Sequence, residues 1–61
     1  MIDTFVTELR DFLLYNSISR DIERSVDPDN PALKEQAVKA RDMYEKFCKY
    51  FDQPYVSPKA D

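Results

Sequence analysis

Along the second half of the chain, apolar residues recur at alternating spacings of four and three. Leu33, Ala37, Ala40, Tyr44, Phe47 and Phe51 form one stripe, with Met43, Cys48 and Tyr50 at its shoulders. That is the period of an amphipathic α-helix. Asp29 or Asn30 offers a side-chain oxygen to cap its start, and Pro31 suits a first helical position whose N–H has no partner inside the helix. Glu35–Lys39, Asp42–Lys46 and Glu45–Lys49 on the other face are acid-before-base pairs at i,i+4, each contributing a few tenths of a kcal/mol. Pro54 closes the element. A helix from about residue 31 to 52 is predicted, roughly 33 Å long.

The first half is two-faced. Ile2, Phe5, Val6, Leu9, Phe12 and Leu13 share one helical face, while Leu14, Tyr15, Ile18, Ile22 and Val26 fall nearly opposite at about 100° per residue. Two arrangements fit a helix over about residues 2–25. The chain kinks or splits near Asn16-Ser17 into a three-helix variant, or one long helix carries two adhesive faces. Asn16 as a C-cap and Ser17 or Ser19 as a new N-cap favour the break. The matched length of the second helix favours continuity. Asp27-Pro28-Asp29-Asn30-Pro31 is the turn. Residues 53–61, with Pro54 and Pro58, are expected to be an extended tail whose Tyr55 and Val56 fold back on the helices.

The predicted fold is therefore all-α: an antiparallel helical hairpin over residues 1–52, self-associating into a four-helix bundle. Its seam is expected to hold Phe5, Leu9, Phe12, Leu33, Tyr44, Phe47 and Phe51. A chain of 61 residues is marginal alone and calls for a staple. With one cysteine and no histidine, neither an internal disulfide nor a structural zinc site can be assembled within the chain. Helix packing and dimerisation remain.

Composition narrows the function classes. Absence of glycine removes glycine-dependent phosphate loops and makes a β-rich fold improbable. Hydrophobic residues at 43% and charged residues at 34% describe a globular chain. The net charge of −3 has the wrong sign for bulk nucleic-acid binding. Residues 1–30 hold three arginines against seven acids, net −4, and residues 31–52 hold five bases against four acids, net +1. The antiparallel pairing is thus mildly complementary. Apolar runs are too short for a membrane span, and Asp3 and Glu8 interrupt what would be a signal peptide. A lone free cysteine then points to the reducing cytoplasm.

Candidate chemistry is sparse. Cys48 has no histidine to activate it and reads as a buried inert thiol, with a redox-sensitive interface cysteine as the sharper reading. Glu8–Asp11, Glu23–Asp27 and Asp42–Glu45 share helical surfaces but lie on solvated faces, and Asp27, Asp29 and Asn30 lack the glycine and terminal glutamate of a calcium loop. No enzyme, cofactor or metal site is expected. Leu14, Tyr15, Ile18, Met43 and Tyr50 fall off the seam, and exposed clusters of this kind mark association surfaces. The expected function is a small protein-binding accessory or regulatory subunit. The layout resembles small phage or plasmid regulators in architecture only. A Rop-like dimer binding nucleic acid through Lys34, Arg41, Lys46 and Lys49 is an alternative, weakened by the interleaved Glu35, Asp42 and Glu45. A purely structural homo-oligomer is another.

Overall fold

The computed structural model describes residues 2–58 and folds as an all-α hairpin of two helices, α1 (Ile2–Val26) and α2 (Pro31–Tyr50). The end of the expected tail, Lys59 to Asp61, lies outside the described residues, as does the side chain of Ile2. The hairpin is a rod of 42 × 16 × 15 Å.

Local chemistry sets each boundary. At the end of α1 the Asp27 N–H donates to the Glu23 carbonyl at 3.2 Å. The Asn30 N–H then donates to the Asp27 carbonyl at 3.2 Å, closing a four-residue turn with Pro28 at the position where a fixed φ helps. Asn30 is the N-cap of α2: its side-chain oxygen accepts from the Ala32 N–H at 3.0 Å, directly before Pro31. At the other end the Phe51 N–H donates to the Phe47 carbonyl at 3.0 Å and the Gln53 N–H to the Cys48 carbonyl at 2.8 Å. Between them Asp52 takes φ 54°, the left-handed conformation that ends many helices and usually falls to glycine. A chain without glycine uses an aspartate here, at a steric cost. Asp52→Gly is expected to stabilise the fold by about 0.5–1 kcal/mol and raise the melting temperature by roughly 2–8 °C. An unchanged or lower melting temperature would show that the Asp52 side chain compensates for its backbone.

Of the two arrangements open for the first helix, the described residues take the continuous one: α1 is helical straight through Asn16 and Ser17. The two apolar arcs of α1 are accommodated differently. α2 presents one stripe, with Ala37, Tyr44 and Cys48 buried. An unbroken helix can turn only one direction towards it. That direction lies between the arcs, where Val6 and Ser17 are buried and Leu9, Leu13, Leu14 and Ile18 are half-buried. Ser17, a polar residue, thus occupies the seam, and its small size admits close approach of α2. Among the described residues, no buried side-chain polar atom lacks a hydrogen bond.

The seam differs from the expected one accordingly. Tyr44 is its centre, fully buried, and Leu9, Leu33 and Phe47 form its edges. Phe5 and Phe12 are corrections, each 65% exposed, because they sit on the outer edge of their arc, too far round to reach α2. Phe51 is also a correction: it lies past the last turn of α2, exposed, against Phe47 at 4.7 Å between ring centroids.

Candidate functional site: two grooves beside one seam

A pair of packed helices has a groove on each side of its seam. On one side, the chain fills that groove with its own tail. Tyr55 stacks on Tyr44 with ring centroids 5.3 Å apart, and the Val56 N–H donates to the Tyr44 hydroxyl at 3.1 Å. The Cys48 thiol faces the Pro54 carbonyl at 3.9 Å, and Pro58 is buried. From α1, half-buried Arg10 reaches across so that its Nη1 donates to Gln53 Oε1 at 3.1 Å. The described tail is therefore a strap over this groove. Burial beneath it pushes the Tyr44 phenol above its ordinary value of 10.0, a rise that the Val56 N–H opposes only in part. Cys48 lies in this covered groove, as expected of a buried thiol.

On the other side no described residue covers the seam. Leu9 and Leu13 of α1 face Met43, Phe47, Tyr50 and Phe51 across an open groove of about 660 Å³, almost wholly apolar, with Lys46 and Lys49 on its rim. Phe47, Phe51 and Tyr50 are mutually packed at its end, Tyr50 edge-on to Phe51 at 5.0 Å. Tyr50 is 84% exposed and Met43 60%.

The structure divides the expected association patch. Met43 and Tyr50 lie in the open groove. Tyr15 does not: it lines a separate hollow of about 540 Å³ on the back of α1, with Glu8, Asp11, Phe12, Asn16 and Ser19. Leu14 and Ile18 are half-buried on the flank of α1 away from the groove. The reason is angular, since a continuous helix carries residues 14, 15 and 18 away from residues 9 and 13. Leu9 and Phe47, read from the sequence as seam, lie at its edge and also wall the groove, together with Leu13. Arg10, Gln53 and Pro58 as strap contacts had no signal in the chain, because an arginine, a glutamine and a proline leave no periodic trace.

Of the three acid–base pairs expected on α2, Glu35–Lys39 closes at 3.2 Å. Asp42 and Glu45 line a shallow hollow together with Lys46 and Lys49, so acids remain interleaved along the basic edge that includes Lys34 and Arg41. Among the described residues, no helix is long and apolar enough to cross a membrane. No family model, curated protein or solved structure matches this chain.

Proposed function

We propose that this chain is a small, non-catalytic accessory or regulatory protein of the cytoplasm that assembles from two hairpins into a four-helix arrangement and binds a partner protein in its open groove. One observation carries the reading: of the two grooves beside the seam, the tail lies over one, and the other is apolar and covered by no described residue. Leaving Met43, Phe47, Tyr50 and Phe51 to water costs free energy that a docked apolar segment would recover. Exposed aromatic and methionine side chains are the types enriched at interaction sites, and methionine adapts to the shape of its occupant. Lys46 and Lys49 on the rim favour a partner helix with apolar residues along one side and acidic residues flanking them. A non-catalytic role is supported by the absence of histidine and by the covering of the one thiol.

The test is affinity capture of the full chain from its native cells, with proteins identified by mass spectrometry, against a Met43→Glu/Tyr50→Glu variant. Both positions are exposed, so the fold should survive within about 0.5 kcal/mol per substitution. A protein retained by the native chain and lost by the variant is expected, with Lys46→Glu/Lys49→Glu weakening capture more at low salt than at high. Equal retention by native and variant chains would end the groove proposal.

A further inference from the structure

The outer edges of the two arcs of α1 meet on the back of the helix, away from α2. There Phe5, Phe12, Tyr15, Ile22 and Val26 are all exposed, Tyr15 at 76% and Val26 at 80%. With Glu8 and Ser19 between them they fall at spacings of three and four without interruption from residue 5 to residue 26. Three heptads in strict alternation are the pattern of a helix that packs lengthwise against another helix. No segment of the described chain covers this stripe, since α2 and the tail both lie on the opposite side.

We propose that the occupant is α1 of a second copy, packed antiparallel along this stripe. The inference rests on the self-association proposed above, and it adds the surface and the orientation. Orientation follows from charge. In a parallel pair each residue meets its own copy, so Glu8 would be pressed against Glu8 of the partner inside an apolar seam. Like charges so placed oppose pairing. Reversing one helix sets Phe5 against Ile22, Glu8 against Ser19 and Phe12 against Tyr15, then repeats the same layers in reverse order. Each carboxylate then faces a hydroxyl that can donate to it, and the two Glu8 side chains stand about 16 Å apart along the axis. The other acids beside the stripe are already neutralised locally: Asp11 accepts from Arg10 at 3.2 Å and Glu23 from Arg20 at 2.7 Å.

The area is sufficient. A covered aromatic side chain buries about 150–250 Å². Scaled by the observed exposures, Phe5, Phe12, Tyr15 and Ile22, the apolar residues that enter these layers, offer roughly 500 Å² per copy. Two copies together reach about 1,000 Å², the least that a specific interface needs. The resulting assembly has the two α1 helices at its centre and an α2 on each outer side, which leaves both Met43–Tyr50 grooves free for partners.

Sedimentation equilibrium and disulfide trapping test this together. The full chain is expected to sediment as two copies at tens of micromolar, with Phe12→Glu or Tyr15→Glu weakening association about 100-fold while leaving helicity unchanged. A chain carrying Glu8→Cys and Ser19→Cys should oxidise to a covalent dimer, whereas Ser19→Cys alone, which keeps Glu8, should not. A chain that stays monomeric at every concentration overturns self-association as well as this interface. A dimer unaffected by Tyr15→Glu but dissociated by Tyr50→Glu keeps self-association and overturns the stripe. Ready oxidation of Ser19→Cys alone overturns the antiparallel orientation.

Discussion

Tyr44→Ala is expected to remove most of the protein's stability. The side chain is wholly buried where α1, α2 and the tail meet, with Tyr55 stacked on it and Val56 hydrogen-bonded to its hydroxyl. Truncating a buried aromatic side chain costs about 3–5 kcal/mol. A chain of 61 residues has only about 3–9 kcal/mol of stability to lose, at about 0.05–0.15 kcal/mol per residue. Far-UV circular dichroism on heating reads the outcome directly. Tyr44→Phe keeps the ring and removes only the hydroxyl, so it should cost about 1 kcal/mol and preserve the fold. If Tyr44→Ala melts within a few degrees of the native chain, the seam is not centred on this residue.

Ending the chain after Asp52 should have the next largest effect. The strap contributes the Tyr44–Tyr55 stack, the Arg10–Gln53 hydrogen bond and cover over Cys48. Set against the ordering of six residues, its loss is expected to cost about 2 kcal/mol, roughly 8–16 °C in melting temperature. The truncated chain should also expose the Tyr44 phenol, and alkaline titration followed by phenolate absorbance would find its ionisation moved down towards ordinary tyrosine. The same raised pKa makes the strap alkali-sensitive in the native chain. Folded Tyr44 holds its proton at a pH where the unfolded chain has begun to lose it. Its contribution is therefore complete below pH 10 and declines as the pH rises from there towards the folded pKa. Truncation that leaves both the melting temperature and the titration unchanged would mean that the tail rests on the hairpin without supporting it.

How these side chains divide between core and surface was only partly legible in the residue pattern. The stripe of α2 was readable because it is single and regular: the partners of Ala37, Tyr44 and Phe47 differ, but their inward direction does not. The cap at Asn30 and the turn from Asp27 were readable because their hydrogen bonds span at most four residues. The face of α1 was not. Phe5 and Phe12 carry a strong apolar signal and lie outside, while Ser17 carries none and lies inside. Burial ranks residues only when a helix has one apolar side. With two arcs, the helix places a compromise direction against its partner and uses a serine where the arcs leave a gap.

By itself the sequence determined an all-α hairpin about a proline-flanked turn, since period, caps and breakers act over one or two turns of chain, and it left open whether the first helix is continuous or broken near Asn16. It also excluded an internal disulfide and glycine-built phosphate loops, which depend on residue types alone. Tertiary structure decided which side of α1 meets α2, which of the two flanking grooves the tail fills, and which stays open. Those choices depend on angles between residues far apart in the chain, such as Arg10 and Gln53, and on the competition of several apolar surfaces for one partner. The division of Met43 and Tyr50 from Tyr15 follows from the same cause: a single unbroken helix sends them to different faces.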